Sequence, residues 1–281
     1  MAEDKTFSFL LPSTSCLQIH ERSTTLKAKK SYGQHFLINE SLCQKIVDVF
    51  DESNSLRNVI EIGPGKGAIT KYILQKDFNY KAIEADRDMI EHLWLTYPEN
   101  RMRFINADFL KVDVRKIFEG QEFSIIGNFP YNISSQIVFR IIKYKDLIPL
   151  SYGMFQKEVA DRIVAPYGSK TYGILSVIFQ SFYDCKITQK ISPGSFSPPP
   201  KVNSAMVMMK RKTNFTIPCD EKLLSTVVRT SFNQRRKMMR NSLKPLVKNA
   251  DLLKEEIFTK RPEQISKEEF YDITNKINKN R

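Results

Sequence analysis

Short apolar runs alternate with stretches of helical spacing through the first half of the chain. Asn58-Val59-Ile60-Glu61-Ile62, Tyr80-Lys81-Ala82-Ile83-Glu84, Met102-Arg103-Phe104-Ile105-Asn106 and Phe123-Ser124-Ile125-Ile126-Gly127 read as buried strands. Leu42, Ile46, Val47 and Phe50 give Glu40 to Asp51 a helical period, with Asn39 or Ser41 as its cap. Ala68 to Gln75, Asp88 to Thr96 and Ile133 to Tyr144 continue the alternation, the last capped by Ser134 or Ser135. Strands and helices in turn predict an α/β fold, a parallel sheet with helices on both faces.

The second half is less regular. Ser151 to Phe155 reads as a strand, Glu158 to Val164 as a helix, Tyr167 to Gly173 as a polar loop and Ile174 to Ser181 as a buried helix. Ser197-Pro198-Pro199-Pro200 blocks both helix and central strand, and Val202 to Met208 is the last strand in the chain. Beyond Lys210 the pattern turns helical and basic, with Lys222 to Ser231 opening a small helical domain. From Phe232 to Leu243 the spacing stays helical: Phe232, Met239 and Leu243 turn inward and Arg235, Arg236 and Arg240 toward phosphates, or form a solvated basic face. The expected division is a tail over 1–26, a catalytic body over 27–209 and a basic helical domain over 210–281.

Charge sharpens this picture. The 281 residues carry 44 Lys and Arg against 31 Asp and Glu, a net of +13, which favours a polyanionic partner over a small metabolite. From Lys210 to Arg281 there are 18 basic against 9 acidic residues, and Lys27-Ala28-Lys29-Lys30 adds a second basic cluster. Both ends of the body are thus suited to gripping RNA or DNA. Cys16, Cys43, Cys185 and Cys219 have no metal-ligand spacing and suggest reduced, intracellular thiols. His20, His35 and His92 are too dispersed for a hydrolase triad, and no metal is expected. No apolar run reaches the roughly 18 residues of a membrane span, and Phe7 to Leu11 is too short for a secretory signal. A cytoplasmic protein with no membrane partner is expected.

The candidate chemistry sits at strand ends. Gly63-Pro64-Gly65-Lys66-Gly67 lies between a strand and a helix, where glycines admit a ligand close to the backbone. Glu84 follows Gly63 by 21 residues, near the spacing of a ribose-binding acid, and Asp108 closes the third strand. These features also suit a dinucleotide. Asn128-Phe129-Pro130-Tyr131, after the fourth strand, separates the readings: an amide oxygen and a carbonyl beside Pro130 can accept both hydrogens of a planar amine, while Tyr131 stacks on its ring. Lys29 to Leu37 mixes charge, aromatics and glycine, as a lid, an RNA contact or a linker would.

Taken together, these segments resemble the KsgA/Dim family of ribosomal RNA adenine dimethyltransferases. The likeness runs from Lys29 to Leu243 and includes the segment at Gly33, EIGPGxG from Glu61, the Asn128 tetrapeptide, Gln156-Lys157-Glu158, Gly168 to Gly173, FSPPPKVNS from Phe196 and FNQRRKMMRNSL from Phe232. It implies a Rossmann-like class I methyltransferase sheet with a small C-terminal helical domain. It also implies a monomer using S-adenosylmethionine, with S-adenosylhomocysteine as product. The substrate would be two adjacent adenosines near the 3′ end of small-subunit rRNA, in an immature small ribosomal subunit. By motif position it assigns His35, Leu37, Gly63, Gly65, Glu84, Asp108 and Asn128 to the cofactor. Asn128, Pro130 and Tyr131 then hold the target adenine, and Phe196 stacks on its other face. Phe129 stands where the family usually has Leu, and His35 where Asn is common. The alternatives are an Erm-type methyltransferase of large-subunit rRNA, which the Phe232 stretch argues against, and a non-catalytic ribosome-assembly factor.

Overall fold

The computed structural model describes Lys29 and residues 33–280; the tail 1–26 and Lys27, Ala28 and Lys30 lie outside the described residues. The described chain opens with a two-residue strand, β1 (Phe36–Leu37), and helix α1 (Glu40–Ser53). Asn39 caps α1, its side-chain oxygen accepting the Leu42 N–H at 3.0 Å. Then come β2 (Asn58–Ile62), α2 (Thr70–Ile73), β3 (Asn79–Glu84), α3 (Arg87–Thr96), β4 (Phe104–Asn106), β5 (Ser124–Asn128) and α4 (Ser134–Lys143). The second half contributes β6 (Leu150–Gln156), α5 (Lys157–Val164), α6 (Ile174–Phe182), β7 (Tyr183–Ile191), β8 (Phe196–Ser197) and β9 (Ser204–Arg211). Helices α7 (Glu221–Asn233), α8 (Met239–Ser242) and α9 (Lys267–Lys279) complete it.

Seven strands form one sheet in the order β4-β3-β2-β5-β6-β9-β7. The first five are parallel; β9 joins antiparallel to β6, and β7 antiparallel to β9. Alternate residues of each central strand serve opposite faces. Val59 and Ile126 belong to the apolar core that includes Ile46 and Phe50 of α1 and Leu93 of α3. Ile60 and Ile125 belong to the opposite core, with Ile137 and Ile141 of α4, Val177 of α6, Val228 of α7 and Phe270 of α9. The expected fold class is the one observed. The chain leaves β2 in one direction to β3 and β4, then returns to place β5 on its other side. This reversal opens a crevice between the C-terminal ends of β2 and β5, where such sheets bind ligands.

Several local boundaries differ from expectation. The helix expected over Ala68 to Gln75 contracts to α2, because Gly67 adopts a left-handed φ of 84° and delays its start. Pro98 starts a 3-10 turn through Arg103, which shortens the third strand to β4. Neither Ser134 nor Ser135 caps α4: Ser134 is already helical, and its hydroxyl donates to the Tyr131 carbonyl of the preceding 3-10 turn. Strand β7 was not expected. It is an edge strand with outward charges whose burial alternates throughout, and its pairing with β9 shifts register between Ile187 and Gln189. The helical spacing from Phe232 also breaks, through a turn in which Lys237 N–H bonds the Gln234 carbonyl, before α8 begins. The expected boundary after residue 209 falls inside β9, and the core beneath α7 and α9 continues into the sheet.

Candidate active site

A cavity of about 430 Å³ occupies the crevice. Its walls are the turn after β2, the ends of β3 and β5, the segment after β4, and residues 33–37 across the top. His35, Leu37, Gly63, Gly65, Glu84, Asp108, Asn128, Pro130 and Tyr131 all line it. Phe196, Arg235, Arg236 and Arg240 do not.

The floor is built from backbone. Gly63 and Gly65 both adopt left-handed φ, 66° and 56°, which β-carbon-bearing residues adopt at a cost. A β-carbon on Gly65 would also press the Phe36 ring at 3.2 Å. The Gly65 N–H donates to one oxygen of Glu84 at 3.0 Å, and the Asp86 N–H donates to the other at 2.8 Å. The Glu84 carboxylate is thereby fixed at the cavity wall with lone pairs to spare. Burial raises its pKa, opposed by those two backbone donors.

Asp108 is oriented the same way, one oxygen accepting the Leu110 N–H at 2.8 Å. Beneath the glycine turn, Glu61 is fully buried and accepts the hydroxyls of Tyr80 and Thr70 at 2.5 and 2.8 Å. Burial pushes its carboxyl up to about 7, those hydroxyls acting against the shift.

Asn128 ends β5 with its amide N–H donating to the His35 backbone carbonyl at 2.8 Å. That bond occupies a donor and leaves the amide oxygen as acceptor. Pro130 continues in extended backbone (φ −55°, ψ 125°), and its carbonyl accepts the Ile133 N–H at 3.2 Å. The Tyr131 ring stacks on His35, centroids 5.3 Å apart, while its hydroxyl shares a 2.5 Å bond with Ser204. Burial raises the Tyr131 phenol, so it stays protonated at neutral pH. His35 contributes its backbone to Asn128 and its ring nitrogen to the Pro198 carbonyl at 2.8 Å.

Phe129 is fully buried and faces two glycines opposed in register on adjacent strands, Gly127 and Gly153. A β-carbon on Gly153 would lie 2.2 Å from the Phe129 ring. The bulk of Phe129 and the bareness of Gly153 are therefore one adaptation, completed by an edge-on contact with Phe155 at 5.2 Å.

Two expectations are corrected. Phe196 is 2% exposed: β8 pairs antiparallel with β1 and sets it opposite Leu37, inside the core, so it is not positioned to stack on a base in the cavity. Arg235 does not face solvent phosphates. Its guanidinium donates to the carbonyls of Tyr172 and Ser169 at 2.8 and 3.4 Å. Arg236 and Arg240 are exposed.

Sequence reasoning missed the clasp that holds the roof. Asp86, fully buried at the α3 N-cap, accepts Lys29 Nζ at 2.6 Å and Gln34 Nε2 at 2.9 Å, and Lys29 also pairs with Asp88 at 2.8 Å. The only signal was an aspartate in N-cap position before a helical run; its partners lie more than fifty residues away.

A glycine turn, an acid at each of two successive strand ends and an amide beside a proline carbonyl meet in one crevice of a class I methyltransferase fold. Residues 25–279 match the ribosomal RNA adenine dimethylase family, and the chain belongs to that family. It is 51% identical to ribosomal RNA small subunit methyltransferase A of Flavobacterium johnsoniae, over 90% of this chain and 96% of that one. It is 49% identical to the protein of the same name in Parabacteroides distasonis, over 89% and 93%. In fold it is similar to a dimethyladenosine transferase from Plasmodium falciparum, with a TM-score of 0.72 and 23% identity over 88% and 98% of the two chains. It is also similar in fold to the 23S rRNA methyltransferase ErmE, with a TM-score of 0.62 and 21% identity over 85% and 99%. The family and enzyme class expected from the motifs are those found.

Proposed function

We propose that the protein transfers methyl groups from S-adenosylmethionine to N6 of two adjacent adenosines near the 3′ end of small-subunit rRNA, acting on an immature small subunit. One observation carries the reading at this site: the Asn128 amide is locked by the His35 carbonyl with its oxygen left as acceptor, in the same cavity as Glu84 and Asp108. The small-subunit assignment follows the names of the relatives; the likeness to ErmE is one of fold.

The residues fit the cofactor. The glycine turn admits a backbone-close ligand, the fixed Glu84 carboxylate suits a pair of ribose hydroxyls, and Asp108 suits an exocyclic adenine amine. When bound, the cofactor supplies an electrophilic methyl group on a sulfonium and departs as S-adenosylhomocysteine.

Asn128 and the carbonyl beside Pro130 then accept the two hydrogens of the target amine, which draws its lone pair out of ring conjugation and points it along the line of transfer. Tyr131, with its hydroxyl held by Ser204, presents a ring for the target base rather than a proton. The amine nitrogen forms the new bond to carbon, and its surplus proton leaves to solvent after transfer. Alignment and fixed dipoles supply the acceleration. The target adenosine has to be unstacked to reach the cavity.

The test is to incubate the protein with labelled cofactor and immature small subunits, then map dimethyladenosine in the rRNA. Label in two adjacent adenosines near the 3′ end is expected. Label in large-subunit rRNA, or none despite cofactor binding, rules the proposal out.

A further inference from the structure

The contact that removes Arg235 from the phosphate-binding set gives it another task. Three chain segments meet beside it. The loop 166–172 is held by the Arg235 guanidinium on the carbonyls of Tyr172 and Ser169. It is also held by the Gly168 N–H, which donates to the Glu263 carbonyl at 2.8 Å. The third segment joins where the Met239 N–H donates to the Lys260 carbonyl at 2.9 Å. At its far end the loop is anchored by Tyr172, buried edge-on against Phe232, which leans in turn on Phe270.

A loop fastened at so many points presents an aromatic ring outward. Tyr167 is 64% exposed, and no ring stacks on it among the described residues. Met238, on the neighbouring segment, is 38% exposed. The segments that meet here carry exposed basic side chains. Lys170, Arg236, Lys237, Arg240 and Arg261 are exposed and, among the described residues, have no carboxylate at ion-pair distance. Lys260, ion-paired with Glu269 at 2.8 Å, lies within electrostatic range of the Tyr167 hydroxyl. A rigidly mounted, unstacked aromatic ring on segments that also carry unpaired cations is an arrangement that binds single-stranded nucleic acid, the ring taking a base and the cations the backbone.

We propose that Tyr167 is a nucleobase-stacking post on the face that grips rRNA, and that Arg235 is the positioning residue that holds it there. The ligand is an unpaired nucleotide of the substrate rRNA, away from the methyl-transfer cavity. This rests on the reading above that the protein acts on small-subunit rRNA.

The experiment measures affinity of the full chain for a transcript of the 3′-terminal region of small-subunit rRNA, across a range of salt. Tyr167→Ala is expected to weaken binding about 5- to 100-fold with an unchanged salt slope, and Tyr167→Phe to stay within about twofold of wild type. Arg236→Ala is expected to weaken binding and lower the salt slope by about one. Arg235→Lys is expected to weaken binding in the wild-type chain and not further in the Tyr167→Ala background. Wild-type affinity for Tyr167→Ala, while Arg236→Ala binds weakly, overturns the stacking post. So does a Tyr167→Phe variant as weak as Tyr167→Ala. Arg235→Lys acting equally in both backgrounds overturns its positioning role. Wild-type affinity in both Tyr167→Ala and Arg236→Ala removes the reading of the whole face.

Discussion

The Asn128 side-chain amide donates to the His35 backbone carbonyl at 2.8 Å, joining the end of β5 to the cavity roof across 93 residues of sequence. On the proposed reading, the bond sets which end of the amide meets the substrate. Asn128→Ala is expected to lower kcat by about 10²- to 10³-fold, the scale of removing one preorganised hydrogen-bonding group. Affinity for S-adenosylhomocysteine should fall less than tenfold. Single-turnover transfer of labelled methyl, beside a calorimetric titration, checks both; a wild-type kcat would remove Asn128 from the chemistry.

Glu84 makes a different prediction, because on the proposed reading it works on the cofactor side. Glu84→Ala removes a fixed charged acceptor, worth about 1.5–3 kcal/mol per bond to a charged group. Affinity for S-adenosylhomocysteine is expected to fall at least tenfold, measured by calorimetry, with the fold intact by circular dichroism. Glu84→Gln keeps an acceptor for only one of the Gly65 and Asp86 N–H groups, which meet different oxygens, and turns an NH2 donor toward the other; it too should bind more weakly than wild type.

Phe129 and Gly153 should behave as a coupled pair. Gly153→Ala sets a methyl group 2.2 Å from the Phe129 ring and is expected to destabilise the protein by about 1–3 kcal/mol, the range for overpacking. Phe129→Leu combined with Gly153→Ala should recover at least half of that loss. Denaturant midpoints of the four proteins close the cycle; strict additivity would show that the two do not share the space.

Glu61 predicts a pH dependence of stability. Its folded carboxyl titrates near about 7 because of burial, above its range in the unfolded chain. Between those two values the folded state holds more protons than the unfolded state, so stability falls as pH rises. Its stabilising contribution is complete below the unfolded value and lost through about pH 7. Glu61→Gln does not titrate. Its stability relative to wild type is expected to rise by about 2–4 kcal/mol from pH 5 to pH 8. Thermal melts across that range check the sign.

How much of this was legible in advance depended on distance along the chain. Gly63, Glu84, Asp108 and Asn128 sit at or just beyond the ends of apolar strands, so local pattern located them and the rule for open sheets brought them together. Strand β7 alternates along its whole length, with Tyr183, Cys185 and Ile187 covered and Asp184 and Lys186 exposed, so its period was legible and was passed over. The cavity role of Phe196 came from the resemblance alone, and its burial depends on pairing with Leu37, a contact no local pattern announces. The Lys29–Asp86 clasp and the Arg235 contact with Tyr172 are likewise long-range. Charge alone cannot tell a cation that meets phosphate from one that ties down a loop.

The core that runs unbroken from Ile60 and Ile125 of the sheet to Phe270 and Ile277 of α9 has a consequence for target choice. A grip and a cutting edge joined by a hinge can reach many places; joined through a solid body, they measure a length. On the proposed reading, the enzyme would act as a caliper. Adenosines would be chosen by their separation from the RNA held at the basic face, and lengthening that separation by one base pair should move both past its reach.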